Sequence, residues 1–169
     1  MTPLPAALAP GAPLVAWRLD RAVHAATWDS GEGAFRAGGR WNSVGVRAVY
    51  CSLDPATTIL EVAVHTGFRP LDTLAHTLTS LEVLEPARVH VAGAADMPNP
   101  NWLAPGAPSA GQQAHGDALL RAHDFVLLPS VVSRHSWNLM FDAARAAGHY
   151  RLVAQEPFAL DPRLHPPVR

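Results

Sequence analysis

"RAVYCSLDPATTILEVAVHTG", residues 47–67, passes from one backbone periodicity to another without a break. The run "RAVYCSL" is short, apolar and β-prone, which predicts a buried strand. Asp54 then supplies a helix N-cap, Pro55 fits the first helical position, and Gly67 marks the stop. A strand therefore feeds directly into a capped helix. Tyr50 stands in the strand and Glu61 on the helix.

Working outward, "PLVAWRL" (13–19), "TLTSLEVL" (77–84), "RVHVAG" (88–93), "DFVLLPSVV" (124–132), "WNLMF" (137–141) and "YRLVAQEPFAL" (150–160) all read as strands. "QQAHGDALLRAH" (112–123) reads as a helix weakened by Gly116, and the Pro-, Asn- and Gly-rich segment 97–111 as a loop. Strands dominate, with a few interspersed helices and no internal repeat. The expectation is an α+β fold on a mixed sheet, in one domain over residues 14–169, behind a flexible leader at 1–13.

The balance of residues narrows the function. The chain has 169 residues, 49% hydrophobic and 16% charged, with a formal net charge of −1. Every basic side chain is arginine. Nucleic-acid binders carry a basic excess, so DNA or RNA is not expected as the main partner. The single cysteine, Cys51, lies in an apolar run and reads as a buried thiol, with no disulfide framework. No apolar run reaches the ~18 residues of a membrane span, and the N-terminus lacks a basic signal region. A soluble cytoplasmic protein is expected. The nine histidines show no metal-ligand spacing, so no metal is expected.

"SGEGAFRAGGRWN" (30–42) invites comparison with phosphate loops. Gly31 and Gly33 begin a dinucleotide fingerprint, but Arg36 stands at its third glycine. Gly33 and Gly38 have the P-loop spacing, but Gly39 and Arg40 follow in place of Lys and Ser/Thr. Two readings stay open: a surface turn, or a ligand loop in which Gly38 and Gly39 permit close approach and Arg40 offers a planar fork to phosphate.

These segments, together with "ILEVAVH" (59–65), "LLPSVV" (127–132) and "EPFALDPRL" (156–164), resemble in order the RES-domain family. That family comprises the toxins of bacterial Xre/RES toxin–antitoxin pairs. The resemblance runs from Trp17 to Leu164 and is most specific at "GGRWN" followed by a tyrosine and a helical glutamate. It implies a fold related to ADP-ribosyltransferases, NAD as substrate, and hydrolysis, phosphorolysis or transfer of ADP-ribose to a protein. It also implies an Xre-type antitoxin partner in a hetero-oligomer. The family's Arg, Glu and Ser fall on Arg40, Glu61 and Ser130, its tyrosine on Tyr50, its earlier arginine on Arg18 and a further asparagine on Asn138. Asp142 departs from the pattern, standing where the family has an Asn-Pro step.

The chemistry suits those residue types. Breaking the nicotinamide–ribose bond creates an oxocarbenium-like centre beside a departing neutral base. Glu61 would stabilise that charge, as a carboxylate does in glycoside cleavage. Arg18 and Arg40, with Gly38 and Gly39, would meet the pyrophosphate, and Tyr50 would stack on nicotinamide. Each residue also has a plainer reading: Glu61 on a solvated helix face, Tyr50 in the core, Arg18 paired with Asp20, Ser130 bonding at a strand end. The rival to an enzyme is a catalytically silent nucleotide- or protein-binding module on the same scaffold.

Overall fold

The computed structural model describes residue 8 and residues 11–164. The leader expected at 1–13 therefore lies mostly outside the described residues. Seven strands form one sheet: β1 (Leu14–Arg21), β2 (Val49–Ser52), β3 (His76–Val83), β4 (Val89–Val91), β5 (Phe125–Pro129), β6 (Trp137–Phe141) and β7 (Tyr150–Phe158). Their order is β4-β5-β6-β2-β1-β3-β7. Only β4 and β5 pair in parallel, so the sheet is mixed, as the sequence predicts.

Among the described residues four α-helices accompany it: α1 (Glu32–Ala37), α2 (Pro55–Thr66), α3 (Phe68–Thr73) and α4 (Ala110–Ala122). The expected start of α2 is realised in detail. Asp54 accepts from the Thr57 amide at 2.7 Å, and the Gly67 amide closes the end on Ala63. Such a cap is worth about 1 kcal/mol. Burial works against the Asp54 charge, but hydrogen bonds from the Ser136 hydroxyl and the Thr57 amide outweigh it and hold the carboxyl below its usual range.

Alternation along the strands divides the apolar side chains between two faces. One face carries Leu14, Ala16, Val49, Cys51, Phe125, Leu127, Leu139 and Phe141. The fully buried Phe125 and Phe141 each contribute about 1.5–3 kcal/mol. The other face carries Val126, Leu128 and Met140, covered by Trp41, Met97 and Leu120. Leu19 and Ala63 join a third cluster with Leu71 where α2 crosses the sheet. Cys51 is 3% exposed, and burial pushes its thiol up to about 12.

The differences from the sequence reading are local. The glycine stretch contains a short helix, α1, that its glycines obscure, and α3 follows Gly67 directly. The strand expected over 124–132 ends at Pro129, where the chain bends away. β7 is a true strand, but it forms the sheet edge and is largely exposed. No helix among the described residues is long and apolar enough to cross a membrane.

Candidate active site

β2 and β6 pair with Tyr50 opposite Met140 and Ser52 opposite Asn138. Partnered residues share a face, so Tyr50, Ser52 and Asn138 all point to the side on which α2 packs. Ser130 is buried just beyond β5. This arrangement brings Glu61 of α2 onto two donors. Ser130 Oγ donates to Glu61 Oε1 at 2.9 Å, and Asn138 Nδ2 donates to the same oxygen at 2.6 Å. Neither bond uses Oε2. Ser130 is itself held by the Ser133 amide at 2.9 Å.

The glycine stretch packs against β2 through Tyr50. Gly38 closes α1 with φ +70°, its amide bonded to Ala34. A Cβ at Gly39 would lie 2.6 Å from Asn42 Oδ1 and 2.9 Å from the Tyr50 hydroxyl, so only glycine lets these three groups converge. Asn42 is fully buried and organises the stretch. Its Nδ2 donates to the carbonyls of Ala34, Ser43 and Val46, and its Oδ1 accepts from the Tyr50 hydroxyl at 2.8 Å. That hydroxyl also accepts from the Trp41 amide at 3.1 Å. Burial raises the Tyr50 phenol well above its ordinary range, so it is neutral at physiological pH.

The two arginines are placed differently. Arg18 forms a fork with Asp20, at 2.6 and 2.8 Å, and its Nη1 reaches the Tyr50 carbonyl at 2.9 Å. It follows the parity of Leu14 and Ala16 along β1, so its charge is spent on Asp20 and the β2 main chain rather than beside Glu61. Arg40 has no carboxylate partner among the described residues. Its Nη2 donates to the Gly106 carbonyl at 2.8 Å, with longer contacts at 3.4 Å to the carbonyls of Trp102 and Ala104. Among the described residues its guanidinium is met only by these carbonyl oxygens.

Between these parts runs a cleft of about 680 Å³. Gly38, Gly39 and Arg40 line one wall; Val64 and His65, one turn beyond Glu61, and Val131, next to Ser130, line another. The size falls within the ~300–1,000 Å³ typical of small-molecule sites. Tyr50 lies behind Gly39 and does not itself line the cleft. Asp142, the departure from the family pattern, sits past the end of β6 opposite to Asn138 and caps the turn that follows, accepting from the Ala144 amide at 2.8 Å. Among the described residues no cluster of three or more His, Cys, Asp or Glu is placed to hold a metal ion.

Sequence reasoning missed several supporting residues. Asn42 stands within the quoted stretch, but nothing in its spacing reveals four hydrogen bonds. Gln113 donates to the Gly39 carbonyl at 2.9 Å, and Asp117 accepts from the Ser43 amide at 3.0 Å. Both lie on α4, four residues apart, and that polar pair on one helix face was the available signal. Gly116, which weakens the helix by propensity, is required by packing: a Cβ there would stand 1.9 Å from the Trp41 carbonyl oxygen.

Comparison with known proteins agrees with this architecture. Residues 15–161 match the model of the RES domain. The chain is 26% identical over 154 residues to Toxin Res of Photorhabdus laumondii subsp. laumondii, covering 89% of this chain and 97% of that protein. It is 33% identical over 141 residues to the Prs ADP-ribosylating toxin of Sphingobium sp., covering 76% of this chain and 81% of that one. Its fold matches a chain of the M. tuberculosis MbcT–MbcA toxin–antitoxin complex, with a TM-score of 0.69, 23% identity, and coverage of 87% of this chain and 85% of the other. The chain belongs to the RES domain family.

Proposed function

We propose that the chain is the NAD-consuming toxin of a bacterial toxin–antitoxin pair and that it cleaves the nicotinamide–ribose bond. The observation that carries this reading is the anchoring of Glu61: Ser130 and Asn138 hold one carboxylate oxygen and leave the other outside both bonds, on the helix whose next turn, Val64 and His65, lines an apolar cleft that Glu61 itself does not line. A relative named as an ADP-ribosylating toxin supports the substrate class.

In the proposed reaction the bond from ribose C1′ to the pyridinium nitrogen breaks, and its electron pair leaves with neutral nicotinamide. Glu61 faces the oxocarbenium-like ribose and lowers its energy by charge complementarity. An acceptor oxygen then bonds to C1′ and loses its proton. Water as acceptor yields ADP-ribose, phosphate yields its phosphorylated form, and a protein side chain yields a modified protein. Arg40 meets the pyrophosphate, exchanging its carbonyl partners for phosphate oxygens, while Gly38 and Gly39 let the ligand approach the main chain. For Tyr50 to stack on nicotinamide the ligand must reach past Gly39, which separates the ring from the cleft, and Arg18 acts through the Tyr50 main chain.

The proposed partner is an Xre-type antitoxin, in a hetero-oligomer that closes the cleft in the cytoplasm. A structural neighbour solved as a toxin–antitoxin complex supports a partner of that kind. The test is incubation of the purified chain with NAD, with and without inorganic phosphate, and chromatography of the products. Free nicotinamide is expected, and its co-product identifies the acceptor. An intact NAD pool under every acceptor condition would favour the silent binding module instead.

A further inference from the structure

Ser52 is a buried polar residue with no part in the chemistry above. It is 3% exposed at the end of β2, beside the core residue Cys51. Sheet pairing needs only its main chain, and an apolar side chain would suit the burial. A buried hydroxyl without a partner is destabilising, so its value at this position lies in the bond it makes. That bond runs to Asn138: Ser52 Oγ donates to Asn138 Oδ1 at 2.8 Å, across the register pair Ser52–Asn138.

The other end of the same amide is committed to Glu61. Asn138 Nδ2 donates to Glu61 Oε1 at 2.6 Å. The two ends of a carboxamide are nearly equal in shape and opposite in hydrogen bonding. Only the NH₂ end attracts a carboxylate, which leaves Oδ1 turned inward as an acceptor. Ser52 satisfies that acceptor and fixes the plane of the amide. We propose that Ser52 is a positioning residue for Glu61, acting through Asn138. Ser130 supplies the second, independent anchor on Oε1, and neither anchor uses Oε2. This inference rests on the reading of Glu61 as the charge-stabilising carboxylate.

The experiment compares Ser52→Ala, Asn138→Ala and the double variant in nicotinamide release. It also follows the Asn138 side-chain amide by NMR in the ligand-free protein. Loosened positioning lowers kcat about tenfold with KM within about twofold, because a small displacement of a reacting group weakens the transition state more than ground-state binding. In the Asn138→Ala background Ser52→Ala adds no further loss. The Asn138 amide protons are slow to exchange in the parent and become fast in Ser52→Ala. Should Ser52→Ala fail to fold, Ser52→Cys, a much weaker donor of similar size, carries the same comparison. Equal losses from Ser52→Ala in both backgrounds would overturn the proposal, as would unchanged Asn138 amide exchange. The NMR outcome decides the positioning role even if the parent chain releases no nicotinamide, a result that would count against the enzymatic reading alone.

Discussion

The Tyr50 hydroxyl donates to Asn42 Oδ1 at 2.8 Å, joining the strand β2 to the glycine stretch that shares a cleft with Val64 and His65 of α2. Its remaining acceptor site is taken by the Trp41 amide. The hydroxyl is thus consumed internally, and the ring backs Gly39, which lines the cleft. Tyr50→Phe strands the Asn42 acceptor and is expected to cost about 1–3 kcal/mol of stability. Tyr50→Ala also removes the ring and is expected to depress NAD cleavage much further than Phe does. Thermal melts and nicotinamide release on the two variants check both statements.

Gly116 is the point where α4 meets the main chain of Trp41. Gly116→Ala places a Cβ 1.9 Å from the Trp41 carbonyl oxygen, a backbone atom that cannot rotate away. Although alanine is the better helix former by about 1 kcal/mol, the clash wins. A loss of at least about 2 kcal/mol is expected in denaturant unfolding, with activity falling because Gln113 and Asp117 no longer seat on the stretch.

Cys51 is buried, and its thiol is pushed up to about 12, so almost none of it is thiolate at pH 8. It is expected to react with a thiol reagent only at the rate of global unfolding. Rapid stoichiometric labelling of the native chain would contradict the packing described for that face of the sheet.

Asp54 has a folded-state pKa below its ordinary value. Such a group stabilises the fold above the unfolded carboxylate value of about 3.9, and that contribution disappears as pH falls through the lower folded-state value. Because asparagine also caps a helix, Asp54→Asn is expected to lose only the stability tied to the charge, so the variant is less stable than the parent at pH 7 and progressively less so as pH drops below about 4. Melting curves of parent and variant across this range, converging at the acid end, provide the check.

Much of this architecture is legible in the chain because local and global signals agree. Asp54, Pro55 and Gly67 fix α2 through capping chemistry alone, and "WNLMF" and "RAVYCSL" are apolar enough to be strands wherever they pair. Glu61 and Ser130 are legible only through the family resemblance, because 69 residues separate them and no local pattern predicts their bond. The roles of Asn42 and Ser52, and the packing reason for Gly116, are not legible for a related reason. Each owes its identity to contacts settled only in the folded chain, and a single residue that serves such contacts leaves no periodicity behind. Gly116 even argues against its own helix by propensity, since the closeness of Trp41 overrides that preference.

Glu61 carries the central claim, and its charge can be removed with little change in shape. The direct measurement is nicotinamide release from NAD by the parent chain and by Glu61→Gln, on samples with matched melting temperatures. The account predicts release by the parent and a loss of at least about a hundredfold in kcat for the variant, the scale expected when a transition-state charge loses its partner. Release by Glu61→Gln at the parent rate would contradict it.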